Sequence, residues 1–414
     1  MIRRTFPSAR ALAAVALAMS LAACADDPEV FAPEPAAGAI FQRYVSLGNS
    51  ITAGFQSGGI NDSTQRESYA FLLAQQMYGN DVDRVWRYPS LAGNGCPPPV
   101  ENFQTQVRVG GGTSPTECSL RNPSSVTDVL NNVGVPNAFV LDLTAASTAN
   151  SNALTTFILG GVTQVERARM AQPTFASVWT GNNDVLIPGL SGLLVATPNV
   201  SPGLTAQADF ETQFDQAIDG LTADNAALEG VLIGVVDVTN VPLLFPPAAL
   251  FNPAFKAGFD QFAGQSVVIH SSCTPTTVAL ISFRIVSEIR AGTHPAVIAC
   301  ARNAMPGTLV GDIFILDAAE IAAVKTAVAG YNAHVQARAT ELGWAYVDVN
   351  PTFEQLKASG EVPVAPNLAS ATQPFGQFFS LDGVHPSVAA HTLVANVVIE
   401  AVNATYGTSL ASIP

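Results

Sequence analysis

Residues 44–54 read YVSLGNSITAG, and this stretch decides how the rest of the chain is interpreted. The residues before Gly48 favour a strand, and the Gly48–Asn49 corner is typical of a turn at a strand end. A serine after such a turn can present its hydroxyl group and its backbone N–H at the start of a helix. Ser50 is therefore a candidate nucleophile, and a hydroxyl in an ordinary turn is the alternative.

Short apolar runs alternate with helix-length segments along the chain, which is typical of a parallel sheet with helices on both faces. Five runs are candidate strands, namely 43–48, 83–90, 174–181, 230–238 and 344–350. Asp317 and Glu320 form a capping-box pattern that begins a helix, and Gly343 ends it. Residues 40–414 are thus predicted to be one domain, a three-layer α/β/α sandwich with a mostly parallel five-stranded sheet.

The first 24 residues form a separate unit. Three arginines lie around the start of an apolar run that is too short to span a bilayer, and the unit ends in Leu-Ala-Ala-Cys24. This ending resembles a bacterial lipobox, which implies cleavage before Cys24 and lipidation of its thiol. The alternative is an ordinary secretory signal peptide with a chance cysteine.

The next segment, 25–39, is rich in proline, alanine and acidic residues and is predicted to be an extended tether. We therefore expect an exported protein that a lipid holds in a bacterial cell envelope. Ala25 after the lipidated cysteine favours the outer membrane or the cell surface over the inner membrane.

Four cysteines remain if Cys24 carries lipid, and an even number in an exported chain predicts two disulfides. Three pairings are possible, and the pairing between neighbours in sequence is Cys96–Cys118 with Cys273–Cys300. Metal binding is the weaker alternative, because no C-x-x-C pair accompanies them. Each pair falls in a long non-periodic segment, 95–132 or 239–311. Since loops at the carboxyl ends of strands surround the ligand site in open α/β sheets, we expect these insertions to be disulfide-stapled walls of the site.

Acidic residues outnumber basic ones by 32 to 18, which gives a net charge of −14. Such a sparsely and negatively charged surface argues against nucleic acid as a partner. The chain contains no P-loop and no clustered metal-ligand pattern, so neither a cofactor nor a metal is predicted.

Two later stretches add residues that suit one chemistry. In WTGNNDVL, Asn183 follows a candidate strand, where its side-chain amide could donate to a developing oxyanion; an Asn-rich turn is the alternative. In LDGVHPS, Asp382 and His385 lie three residues apart, so the carboxylate can fix one imidazole nitrogen and leave the other as a base.

Together these stretches resemble, in order, the conserved blocks of the SGNH (GDSL-type) hydrolase family, over about 41–401. The resemblance implies that Ser50 is the nucleophile, His385 the general base and acid, and Asp382 the residue that orients the imidazole. It also implies an oxyanion hole made of the Ser50 N–H, the Asn183 amide and a glycine N–H. Gly93 is preferred over Gly95 for that glycine, because it lies just past a candidate strand.

One position departs from the family pattern, because Asn49 stands where the family usually has aspartate. The expected activity is a serine esterase that cleaves carboxylic esters through an acyl-serine. Phenylalanines in the second insertion favour lipid-like or other acyl esters, unless they only form the insertion's own core; they are Phe245, Phe251, Phe255, Phe259 and Phe262. The alternatives are a carbohydrate O-acetyl esterase and a non-catalytic, ligand-binding surface lipoprotein on the same scaffold.

Overall fold

The central sheet of the computed structural model consists of four parallel strands. They are β1 (Tyr44–Gly48), β4 (Phe175–Trp179), β5 (Glu229–Ile233) and β11 (Ala345–Val347), and they lie in the order β1-β4-β5-β11. Each falls within or overlaps one of the candidate strands. The structure describes residues 38–116, 118, 129–145, 154–197, 201–306, 308 and 310–414. Cys24, the leader and nearly all of the predicted tether lie outside the described residues.

The helices that surround the sheet are numbered in chain order. They are α1 (Ser50–Ala53), α2 (Asp62–Arg66), α3 (Tyr69–Tyr78), α4 (Val82–Val85), α5 (Leu154–Leu159), α6 (Gln164–Met170), α7 (Asn182–Ser191), α8 (Gln207–Thr222), α9 (Pro253–Ala263), α10 (Ile285–Ala291), α11 (Ala318–Leu342), α12 (Asn350–Ala358) and α13 (Val388–Tyr406). Five short 3₁₀ helices in the described part are Ala39–Phe41, Gly79–Asp81, Val140–Leu143, Val238–Asn240 and Pro247–Phe251.

Successive side chains of the sheet strands enter two different apolar cores, as the strand period of two requires. Phe175 and Trp179 of β4 pack into the core that includes α3 and α13, whereas Ala176 and Val178 pack into the core with α6, α8 and α11. The predicted three-layer α/β/α sandwich is confirmed.

The longest helix, α11, follows the sequence prediction at both ends. Asp317 is its N-cap and forms a capping box with Glu320, and Gly343 ends it in the left-handed conformation with φ of 71°. Helix α13 is long and apolar enough to cross a membrane by length and composition. It nevertheless packs against α3 and β11 within the domain.

The prediction of a fifth strand at 83–90 is wrong. Helix α4 occupies its first residues, and the following Trp86 is buried against the rings of Tyr44 and Phe71. These aromatic contacts, and not sheet pairing, account for the apolar pattern. The edge of β1 is instead bordered by the segment at Asn132, which forms a single parallel bridge with Ser46.

The two insertions contain the short strands of the fold. Strands β2 (Val100–Asn102) and β3 (Val107–Arg108) form a hairpin in the first insertion. In the second, β6 (Leu244–Phe245) pairs with β8 (Ala279–Ser282), and β7 (Val268–Ile269) pairs with β9 (Val297–Ile298). On its other side β8 pairs with β10 (Ile315–Asp317), which lies just after this insertion. The disulfides are Cys96–Cys118 and Cys273–Cys300, so the predicted pairing is confirmed.

Candidate active site

Ser50 is the first residue of α1 and is separated from the end of β1 by Asn49 alone. The turn between them needs Gly48, because a Cβ atom there would collide with the carbonyl oxygen of Trp179 and with Thr52 Oγ1. Asn49 is the N-cap, and its Oδ1 accepts a hydrogen bond from the Ile51 N–H at 3.0 Å. The tight turn thus holds the serine at the carboxyl edge of the sheet.

His385 lies between Ser50 and Asp382. Its Nε2 is 2.8 Å from Ser50 Oγ, and its Nδ1 is 2.8 Å from Asp382 Oδ2. The Phe55 ring packs on the imidazole with ring centroids 4.9 Å apart. The structure therefore brings together the three residues that the sequence singled out, in the geometry that lets a histidine accept the proton of a serine hydroxyl.

The Asp382 carboxylate accepts three backbone hydrogen bonds besides the imidazole. Oδ1 accepts from the N–H groups of Val384 at 2.9 Å and His385 at 2.8 Å, and Oδ2 accepts from the Gly58 N–H at 2.8 Å. Burial alone would raise the pKa of Asp382, but the attraction of His385 and these hydrogen bonds hold that pKa well below its usual range. The group stays ionised and fixed.

Asn183 lies in the first turn of α7 and is almost fully buried. Its Nδ2 donates one hydrogen to the carbonyl oxygen of Ala138 at 2.8 Å. An amide nitrogen carries two hydrogens, and Asn183 lines the same cleft as His385. One N–H therefore fixes the side chain, while the other is available for a ligand oxygen.

The residue after Asn183 anchors the loop that carries Ala138. Asp184 Oδ2 accepts from the Val140 N–H at 3.0 Å, and Oδ1 accepts from the Thr205 hydroxyl at 2.7 Å. Burial raises the pKa of Asp184 to about 7, despite these hydrogen bonds. The loop at Ala138 is thereby tied to the helix that presents Asn183.

The glycines proposed for the oxyanion hole do not line the cleft, whereas Asn137 does. Gly93 and Gly95 lie in the irregular stretch just before Cys96. Asn137 precedes Ala138, has a φ of +62°, and has no hydrogen-bond partner on its N–H among the described residues. Sequence reasoning missed Asn137; its only signal was an asparagine, which tolerates this conformation, after the Gly-Val-Pro of a loop.

The active-site residues open onto a large cleft and border two smaller spaces. The cleft has a volume of about 740 Å³ and is bounded by Asp382, His385 and Asn183 together with parts of the second insertion. A cavity of about 280 Å³ lies on the other side of Phe55 and Asn137, against the Cys96–Cys118 disulfide. A niche of about 30 Å³ adjoins Ser50.

The five predicted phenylalanines divide between the two interpretations of the insertion. Phe245 and Phe259 are fully buried in the core that the insertion shares with the domain, and Phe262 lines the large cleft. Within the described ranges, no group of three or more histidine, cysteine, aspartate or glutamate residues could hold a metal ion.

The α/β fold and the contacts among Ser50, His385 and Asp382 are those of a hydrolase. The chain belongs to the GDSL-like lipase/acylhydrolase family, whose model matches residues 44–398. The family prediction is confirmed, and the protein is a hydrolase of ester bonds.

Comparisons with solved structures give weak overall similarity. LAE5, an alpha/beta hydrolase enzyme from the metagenome of Lake Arreo, Spain, is 14% identical with a TM-score of 0.35, over 87% of this chain and 95% of that one. A mutant of Axe2, an acetyl-xylooligosaccharide esterase from Geobacillus Stearmophilus, is 13% identical with a TM-score of 0.34, over 87% and 93%. No curated protein sequence matches the chain.

Aspartate at position 49 is expected to keep the enzyme active. The Asn49 side chain acts as a helix N-cap, a role that aspartate fills equally well, and its buried Nδ2 has no partner within the described structure. We expect Asn49→Asp to retain at least about a tenth of the wild-type kcat/KM. Near-total loss in a folded variant would show that this position takes part in bond chemistry.

The contribution of Asp184 to the free energy of unfolding should fall as pH rises. Its pKa of about 7 in the fold exceeds that of an unfolded aspartate, so the folded state binds more protons between about pH 4 and 7 and loses stability across that range. Asparagine resembles the protonated acid and can serve Val140 and Thr205. Relative to wild type, Asp184→Asn should therefore be more stable at pH 8 than at pH 5, by on the order of a few kcal/mol in unfolding free energy. An equal difference at both pH values in denaturant titrations would contradict this.

Proposed function

We propose that the protein is a serine esterase that cleaves carboxylic esters with an apolar acyl or alcohol part through an acyl-serine intermediate. The observation that carries the proposal is the continuous hydrogen-bonded chain from Ser50 through His385 to Asp382 at the mouth of an apolar cleft. Membership of the family supports ester hydrolysis, and the geometry supports the assignment of roles.

In the proposed mechanism, Ser50 Oγ attacks the ester carbonyl carbon while His385 Nε2 takes the hydroxyl proton. Asp382 holds the Nδ1–H side and stabilises the imidazolium that forms. Collapse of the tetrahedral intermediate breaks the bond to the alcohol, which takes the proton from His385. A water molecule then attacks the acyl-serine in the same way, so the acid is released and Ser50 is regenerated.

The oxyanion needs donors that are already in place before the reaction. We propose the Ser50 N–H, the second N–H of the Asn183 amide, and the backbone N–H of Asn137. Asn137 replaces the predicted Gly93 in this proposal because it lines the cleft beside Asn183. The hydrogen bond from Asn183 Nδ2 to the Ala138 carbonyl oxygen fixes the Asn183 amide next to the Asn137 backbone.

The size and lining of the cleft support an apolar substrate. Its volume of about 740 Å³ lies in the range of small-molecule sites. Its walls carry the apolar side chains Phe103, Leu190, Leu243, Phe262, Phe283 and Phe375. An acyl chain or a hydrophobic alcohol would be removed from water there, which contributes about 0.8 kcal/mol per buried methylene group.

The niche next to Ser50 favours acetyl esters of carbohydrates as the second candidate. It holds only about 30 Å³, is walled by Val236, Val238 and Val241, and adjoins both Ser50 and His385. If the acyl group occupies this niche, only a short acyl group fits, and the large cleft takes the alcohol.

A chain-length series of p-nitrophenyl esters separates these substrates. We expect kcat/KM to rise from acetate to octanoate; activity confined to acetate would overturn the preference for long acyl chains. A fluorophosphonate probe tests the catalytic role in the same preparation. Failure to label under conditions that label a control serine hydrolase would favour the alternative of a non-catalytic binding protein.

Asn183 should contribute to the rate and not to substrate binding. Removal of one oxyanion donor typically lowers kcat by about 10²–10³-fold, so we expect Asn183→Ala to do so with little change in KM. Asn225→Ala is the matched control, because Asn225 Nδ2 also donates to a backbone carbonyl, that of Pro173 at 3.1 Å, but Asn225 does not line the cleft. Equal loss of activity in both variants would assign a structural role to Asn183.

We also propose that the mature protein is exported and anchored by lipid at Cys24. The apolar leader ending in Leu-Ala-Ala-Cys supports this, as do the two disulfides, which are typical of oxidising compartments. In a bacterial host, Cys24→Ser should move the protein from the membrane fraction to the soluble fraction and abolish metabolic labelling with palmitate. Membrane association that is unchanged in this variant would contradict the anchor.

A further inference from the structure

Two arginines line the large cleft from one side of α10. Arg284 precedes the helix, and Arg290 lies in its last turn. Ser287 lies midway between them, and all three residues border the cleft together with His385. The spacing of three residues places them along one face of the helix.

No side-chain hydrogen bond or ion pair holds either of these arginines within the described residues. Arg66, Arg169 and Arg338, by contrast, each lie within ion-pair distance of an aspartate. The chain carries a net charge of −14, so carboxylates are not scarce.

Arg284 is an exposed residue that borders the concave cleft. The protein atoms around it remove part of its hydration, which lowers the pKa of Arg284, although Asp382 and Glu288 lie near enough to oppose the change. A guanidinium group remains charged under such conditions. Because neither Asp382 nor Glu288 forms an ion pair with Arg284, its donors are open to an anion that enters the cleft.

We propose that Arg284 and Arg290 form an anion-binding subsite, which selects amphiphilic esters that carry a phosphate or carboxylate group. The inference rests on the proposed esterase function and specifies its substrate. The apolar walls of the cleft accept the chain, His385 and Ser50 act on the ester, and the guanidinium groups bind the anionic group. Arginine suits this role because its planar donor fork matches carboxylate and phosphate oxygens.

The same arginine could instead act only through Asp382, whose negative charge it would balance. In that case Arg284 would be a positioning residue for the catalytic aspartate. Its replacement would then change the hydrolysis of neutral and anionic esters equally and would alter the pH profile with both. The two roles therefore predict different ratios between paired substrates.

The test uses two pairs of esters that differ only in charge. The acyl-side pair is p-nitrophenyl nonanoate and the mono-p-nitrophenyl ester of nonanedioic acid. The alcohol-side pair is 1-octanoylglycerol and its 3-phosphate. We expect wild type to prefer the anionic member of at least one pair, and that pair identifies which part of the substrate carries the charge.

Charge-neutral variants should remove this preference selectively. Arg284→Gln and Arg290→Gln should each lower kcat/KM for the preferred anionic ester by about ten- to a hundredfold, with the neutral partner changed by less than about threefold. Arg284→Lys should keep more of the preference for the anionic ester than Arg284→Gln does. Added salt should weaken this preference in wild type. Arg84→Gln, which removes an equal charge from the exposed Arg84–Asp81 pair outside the cleft, should have no effect on the ratio.

Binding to the Ser50→Ala variant separates this inference from the esterase function. By calorimetry, octyl phosphate or octanoate should bind more tightly than octanol, and Arg284→Gln in the same background should abolish the difference. Hydrolysis without any anion preference would overturn the subsite and leave the esterase function standing. Anion binding by these arginines in a protein that cleaves no ester would support the subsite and overturn the esterase function. Equal losses for neutral and anionic esters in Arg284→Gln would reduce Arg284 to a positioning residue and overturn the subsite.

Discussion

Replacement of Ser50 by alanine is expected to lower kcat for ester hydrolysis by about 10⁶-fold, as loss of the nucleophile does in other serine hydrolases. In the proposed mechanism Ser50 Oγ is the atom that forms the acyl intermediate, and within the described structure it lies 2.8 Å from His385 Nε2. Ser50 does not line the large cleft, so binding of a non-hydrolysable ligand there should be retained. The measurement is kcat for the preferred p-nitrophenyl ester, with active-site titration by a fluorophosphonate.

The control for Ser50→Ala is a serine in the large cleft that His385 borders. Ser287 is exposed and borders the cleft, but it lies on α10 and is not joined to a histidine. Labelling should persist in Ser287→Ala and vanish in Ser50→Ala. If the probe still labels Ser50→Ala at the wild-type level, another serine is the nucleophile and the proposed mechanism is wrong.

The sequence predicted four strands of the central sheet, and the three residues that it singled out for catalysis lie together in the structure. Ser50 follows a strand and a glycine turn, and Asp382 and His385 lie three residues apart, so each feature is local and can be read from a short string. The apolar residues at 83–90 fit a strand as well as they fit the short helix and extended segment that the structure shows there. Trp86 is buried by contacts with Tyr44 of β1 and Phe71 of α3. Both belong to other elements, so this burial cannot be read from the sequence around Trp86.

The remaining parts of the site depend on how distant segments come together. Asn137 reaches the cleft because its loop borders the edge of β1 and is fixed to α7 through Asp184, and neither contact leaves a mark in the sequence around it. Arg284 and Arg290 were unremarkable in sequence, since the position of α10 is set by the docking of the whole second insertion. Local patterns therefore indicated the candidate reacting groups, whereas tertiary packing decides which other groups line the cleft.

Replacement of Asp382 by asparagine should lower kcat by about 10⁴-fold while the protein remains folded. The carboxylate accepts four N–H groups, those of Gly58, Val384 and His385 and the imidazole Nδ1–H. Asparagine has only one oxygen, so in either orientation its NH₂ group faces donors. The imidazole then loses its fixed tautomer, or the turn moves away from Ser50.

The size of the fall in kcat in Asp382→Asn shows whether Asp382 acts by orienting the His385 imidazole or only by its negative charge. Asp81→Asn removes the same charge from an exposed ion pair with Arg84 and should leave kcat unchanged. Because the pKa of Asp382 is held well below its usual range, the carboxylate is ionised throughout the working pH range, and the loss in Asp382→Asn should appear at every pH tested. A folded Asp382→Asn protein with kcat within about tenfold of wild type would mean that the backbone turn alone positions His385.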